Sequence, residues 1–127
     1  MAADAAAVRQ ILLLVRWKRV CWRGAAILRV EIEGCADAER KAILLSMLDD
    51  LCIEERTSIE RTDEMLEALQ GLGLSLPDAA HLVSAARIGA EIFITCDRQL
   101  LKKRAKITAL TRLIVMSPLQ AVAELAL

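Results

Sequence analysis

Glu91-Ile-Phe-Ile-Thr-Cys-Asp-Arg-Gln-Leu-Leu101 is the stretch on which the fold turns. Its first five residues are short, apolar and rich in β-favouring side chains, and Asp97 follows at once. A strand that is apolar on both faces belongs inside a parallel sheet covered by helices on each side. A basic helix follows it, from about Arg98 to Lys103 or Arg104. Upstream, Ser75-Leu-Pro-Asp78 reads as a capping box at the head of a helix, with proline in the first turn, where it is tolerated. That helix ends at Gly89. Downstream, Leu113-Ile-Val-Met116 gives a last strand, Ser117-Pro118 turns the chain, and a short helix closes it.

Farther upstream, residues 3–15 favour a helix through their Ala, Leu, Val, Arg and Gln content, with Ala7, Val8, Ile11, Leu12 and Val15 as its apolar stripe. Trp17-Lys-Arg-Val-Cys-Trp22 alternates and stops at Arg23-Gly24, which predicts a strand and turn. A second helix is expected over Ala25–Glu33, ending at Gly34, and a third over Asp37–Leu51. Cys52-Ile-Glu-Glu-Arg56 reads as a short strand. Thr62, with Asp63 and Glu64 behind it, looks like the N-cap of a helix ending near Gly71. Helices alternating with short strands predict one α/β domain over residues 1–127, built on a parallel sheet.

Composition narrows the function. The chain has 127 residues, of which 56% are hydrophobic and 27% charged, too apolar for a disordered segment. Its longest aliphatic runs fall far short of the ~20 residues that span a bilayer, and no leader is evident, so no membrane partner and a cytoplasmic location are expected. Trp17, Trp22 and Phe93 are the sole aromatics, which argues against a surface of several rings stacking single-stranded RNA. Cys21, Cys35, Cys52 and Cys96 have neither zinc-ligand spacing nor a disulfide pattern and read as free thiols.

Zero net charge conceals an uneven layout. Residues 1–30 carry six bases against one acid, a net of +5, whereas residues 31–67 carry twelve acids against four bases, a net of −8. Residues 68–127 return to a net of +3, from seven bases and four acids. A cationic rim around an acidic patch would suit a metal-dependent nuclease, and solvated helix faces would give the same layout.

Three carboxylates are candidates for chemistry. Asp97 follows the strand 91–95 at its carboxyl end, the usual ligand crevice of a parallel sheet, with Thr95 two residues before it. Asp78 opens the preceding helix, and Glu31 interrupts the apolar stretch Ile27-Leu-Arg-Val-Glu-Ile32. Meeting in space, they would form a hard oxygen site for Mg²⁺ or Mn²⁺. Separately, Asp78 and Asp97 are simple helix caps, Glu31 a solvent-facing residue, and His81 a structural hydrogen-bonding group. Arg98, Lys102 and Lys103, with Arg104 and Lys106 beside them, could grip phosphates or form a solvated basic helix.

Taken together, Leu76-Pro-Asp-Ala-Ala-His81 and Thr95-Cys-Asp97 resemble the C-terminal half of PIN-domain nucleases, the VapC-like toxins in particular. Ile27 through Arg40 resembles that family's segment with its acidic helix residue, and Ile114-Val-Met-Ser-Pro118 its usual ending. The resemblance implies a PIN-like parallel sheet flanked by helices. It also implies a metal-dependent endoribonuclease with Glu31, Asp78 and Asp97 as catalytic ligands of Mg²⁺ or Mn²⁺. Thr95 and His81 would support the site, Arg98, Lys102 and Lys103 would contact RNA, and a small antitoxin protein would be the partner. The family begins with a central strand ending in aspartate, but only Asp4 precedes Glu31 here. An N-terminally shortened domain lacking that strand is therefore expected. Its exposed sheet edges would favour a homo-oligomer. The alternatives are a catalytically impaired remnant that binds protein or RNA, and a general α/β binding module.

Overall fold

A computed structural model describes residues 2–25, 33–34, 36–55 and 63–125. The chain is α/β and mostly helical. Helix α1 (Ala2–Arg16) leads to β1 (Trp22–Ala25), α2 (Ala38–Leu51) and β2 (Cys52–Glu55). Then follow α3 (Glu64–Gly71), α4 (Leu76–Arg87), β3 (Ile92–Ile94), α5 (Arg98–Lys102), α6 (Arg104–Thr111), β4 (Ile114–Met116) and α7 (Pro118–Leu125).

The described strands pair in parallel, as expected, but among the described residues they do not join in one sheet. Among the described residues β1 pairs with β2, Trp22 opposite Cys52, and β3 pairs with β4, Phe93 opposite Val115. Each is a two-stranded ribbon, and neither is independently stable without a covering layer. For β3 and β4 that layer is the principal core. Leu66 and Leu69 of α3, Leu82 and Val83 of α4, Leu100 of α5, Ile107 of α6, and Leu113 and Val115 beside or within β4 are all buried together. At the other end, α1 lies along α7, and the small buried side chains Ala7 and Ala121 permit a close approach. Of the apolar stripe read on α1, Ala7 is buried and Ile11, Leu12 and Val15 are half-buried, but Val8 is exposed.

Local capping explains where several of the helices start. Ser75 Oγ accepts from Asp78 N at 3.3 Å, so the capping serine heads α4, and Gly89 ends the following turn with φ +80°. Asp37 Oδ1 accepts from the Glu39 and Arg40 amides, both at 3.1 Å, to start α2. The cap of α3 is Asp63 and not Thr62, which lies outside the described residues; Asp63 Oδ1 accepts from Leu66 N at 3.1 Å.

Two other readings need correction, and one is incomplete. Residues 17–21 of the strand expected over Trp17–Trp22 form instead the turn that closes α1. Lys18, at φ 60°, takes the left-handed position of a Schellman motif, in which Lys18 N donates to Val15 O at 3.0 Å and Arg19 N to Leu14 O at 2.9 Å. Terminal carbonyls need partners, and here that need outweighs the alternating pattern. β1 therefore begins only at Trp22 and runs through Gly24 to Ala25, where a turn and helix were expected. The remainder of that expected helix, residues 26–32, lies outside the described residues. The basic helix is present over Arg98–Lys102 with Lys103 as its C-cap, but a separate α6 follows that was not expected, held to the core by Ile107 and Thr111 at i and i+4.

Candidate functional site

The carboxyl end of β3 is built by short-range hydrogen bonds. Thr95 continues the β3–β4 ladder, its amide donating to Met116 O at 2.9 Å. Its Oγ1 accepts from Asp97 N at 3.0 Å, which fixes the aspartate two residues beyond the anchored strand tip. Asp97 is exposed, and its Oδ1 accepts from Gln99 N at 2.8 Å as the N-cap of α5. The cap uses one carboxylate oxygen, and Oδ2 makes no ion pair with the described residues.

Asp78 sits in the first turn of α4 and is half-buried. Ser75 caps that helix, so Asp78 is not needed as the cap; its carboxylate complements the positive helix end. His81, one turn later, is half-buried as well. Glu31 lies outside the described residues. Of the expected acidic trio, two are thus placed, each at the beginning of a helix.

These two carboxylates are hard oxygen donors, the right kind for Mg²⁺ or Mn²⁺. Among the described residues, however, no group of three or more His, Cys, Asp or Glu side chains is arranged to hold a metal ion. Asp78, His81 and Asp97 do not form one between them. The described cysteines Cys21, Cys52 and Cys96 form no disulfide with one another.

The basic residues have separate fates. Arg98 and Lys102 are exposed on α5. Lys103, at the α5–α6 junction, is half-buried, and its Nζ donates to Leu72 O at 2.7 Å. That ammonium is tied to the end of α3, so the expected trio of RNA contacts is a surface pair beside an internal anchor.

The strand reading of residues 17–22 also concealed a concave surface away from the β3 tip. The end of α1 and the turn after it border a cleft with Trp22 and the end of α2. No sequence motif marks it, because its residues come together only through the Schellman turn at Lys18 and the parallel pairing of β1 with β2.

No protein-family model, no curated protein and no solved structure matches this chain. No helix among the described residues is long and apolar enough to cross a membrane.

Proposed function

We propose that the chain is a metal-dependent endoribonuclease of the PIN kind, a cytoplasmic toxin restrained by an antitoxin protein, that hydrolyses RNA phosphodiester bonds. The observation that carries this reading is the tip of β3, where Thr95 holds Asp97 directly ahead of the exposed cations Arg98 and Lys102. In this reading Glu31, Asp78 and Asp97 hold Mg²⁺ or Mn²⁺. When bound, such an ion lowers the pKa of its water and offsets the charge that grows on the phosphate. Thr95 orients Asp97, and Arg98 and Lys102 bind flanking phosphates as exposed surface charges.

A second reading rests on the split sheet and on the lack of a three-donor group among the described residues. By this reading the chain is an impaired PIN-like remnant that binds RNA or protein without cutting. One experiment separates the two. Mn²⁺ titration and RNA cleavage are measured on the full chain and on Asp97→Asn. The nuclease reading expects metal-dependent cleavage that Asp97→Asn abolishes together with Mn²⁺ binding. RNA binding without cleavage favours the remnant, and cleavage that survives Asp97→Asn overturns the proposed site.

A further inference from the structure

The cleft at the end of α1 has a volume of about 490 Å³, within the range of small-ligand sites. Arg16, Lys18, Arg19 and Asp50 line it, and Trp22 and Leu51 supply apolar surface. The three cations are exposed, and none pairs with an acid among the described residues. Arg16 alone would be accounted for by the helix dipole, which favours a cation in the last turn. Lys18 is not. Its left-handed backbone, φ 60°, is one that glycine adopts without strain and a side chain opposes. The chain thus keeps a cation on the cleft at a position where glycine would be free of strain.

We propose that this cleft binds a nucleotide unit. Its phosphate lies among Arg16, Lys18 and Arg19, where guanidinium groups offer paired donors to phosphate oxygens. Its base lies against the Trp22 indole, since every base presents a face that an aromatic ring can stack on. Asp50 accepts a hydrogen bond from a ribose hydroxyl or an exocyclic amino group, being an acceptor only when ionised. One indole within a cleft suffices for one base; a track of exposed rings is not required. The unit can arrive as a free nucleotide or as part of an RNA strand. The proposal shares no residue with the β3 tip and does not depend on the nuclease reading.

Fluorescence of the full chain tests this. Trp17 is 67% exposed and does not line the cleft, so Trp17→Phe leaves Trp22 as the only indole reporter. Titrations with adenosine 5′-monophosphate, ribose 5-phosphate and hexa-adenylate are run in EDTA, which keeps the result independent of any metal site. The mononucleotide is expected to change Trp22 emission and to bind about tenfold more tightly than ribose 5-phosphate, through the added stack. In that background Lys18→Gly should weaken binding several-fold while leaving the fold intact or more stable, an opposite movement that a purely structural lysine would not give. For hexa-adenylate, Lys18→Gly should also lower the slope of log affinity against log salt by about 0.7. Equal affinity for mononucleotide and hexa-adenylate identifies a free nucleotide as the ligand, and much tighter hexa-adenylate binding identifies a strand. The proposal is overturned by no response to either, by ribose 5-phosphate binding as tightly as the mononucleotide, or by affinities that Lys18→Gly leaves unchanged.

Discussion

The Lys103 ammonium donates to the Leu72 carbonyl oxygen at 2.7 Å and so ties the α5–α6 junction to the end of α3. Leu72 is the C-cap residue of α3, where carbonyls lack helical partners and the dipole is negative. Gly73 follows at φ +91°, and a Cβ there would come within 3.1 Å of the same Nζ. The lysine and the glycine are therefore one joint: the turn passes close because it carries no side chain, and the ammonium fills the space.

Lys103→Met should destabilise the chain by about 1.5 kcal/mol, the range for a lost hydrogen bond to a charged group. Lys102→Met, one residue away and exposed, should change stability by under about 0.5 kcal/mol. Urea unfolding of the two variants checks this. Equal effects would show that the Leu72 bond contributes nothing. A nucleic-acid role makes the reverse demand, with Lys102→Met reducing the salt dependence of RNA binding.

Asp63 serves two helices at once. Its Oδ1 caps α3 through Leu66 N, while Oδ2 accepts from the Arg87 guanidinium at 2.6 Å, in the last turn of α4. The Asp63 side chain is only 9% exposed, but Arg87 is 52% exposed, so solvent screens the ion pair and the cap is the larger contribution. Asp63→Ala should cost about 1–2 kcal/mol through the lost cap. Arg87→Ala should cost under about 1 kcal/mol, as exposed pairs do. A double-mutant cycle measures their coupling, and a coupling that exceeds the Arg87→Ala effect would contradict this ranking.

The end of α6 presents a further pair of opposite expectations. Thr111 Oγ1 donates to Ile107 O at 2.8 Å and accepts from the buried Leu113 amide at 3.1 Å, which aims the chain into β4. Thr111→Val keeps the shape but leaves that amide unpaired, at a cost of about 1–3 kcal/mol. Between them Arg112 takes the left-handed C-cap position, φ 66°. Arg112→Gly relieves a conformation that costs a side chain about 1 kcal/mol, so it should raise stability slightly. Thermal melts of both variants provide the check; a stabilised Thr111→Val would mean that water satisfies the Leu113 amide.

The legible parts of this fold are those governed by neighbouring residues. Ser75 heading α4, Gly89 ending it and the apolar run at β3 all follow from local rules, and each element is present. The alternation of Trp17–Trp22 misled because the carbonyls ending α1 claim Lys18 and Arg19 first. Helix α6 was hidden because only Ile107 and Thr111 face the core, too few to show a period, and β-branched threonines weaken its propensity. At the candidate site the sequence places Asp78 and Asp97 at helix starts. Whether carboxylates from distant segments meet is decided by sheet order, and no local pattern encodes that. Separate β1–β2 and β3–β4 pairs leave this question to tertiary packing.

The open side of β3 gives the last prediction. Ile114 N donates to Glu91 O at 3.0 Å and Thr95 N to Met116 O at 2.9 Å. Residues along a strand in a parallel pair alternate in the direction of their amides, and Phe93 lies opposite Val115, so Glu91, Phe93 and Thr95 turn their backbone groups toward β4. Ile92 and Ile94 turn theirs the other way, where no strand pairs among the described residues. An inner strand of a parallel sheet is covered on both faces, yet all three β3 side chains are only half-buried. Hydrogen exchange at low concentration should show the Ile92 and Ile94 amides exchanging faster than those of Phe93 and Thr95. If the expected homo-oligomer forms through this edge, protection at Ile92 and Ile94 should rise with protein concentration, together with the sedimentation coefficient, while Phe93 changes little. Strong, concentration-independent protection of Ile92 and Ile94 would mean that the chain itself completes the sheet, and the expectation of association through an open edge would fall.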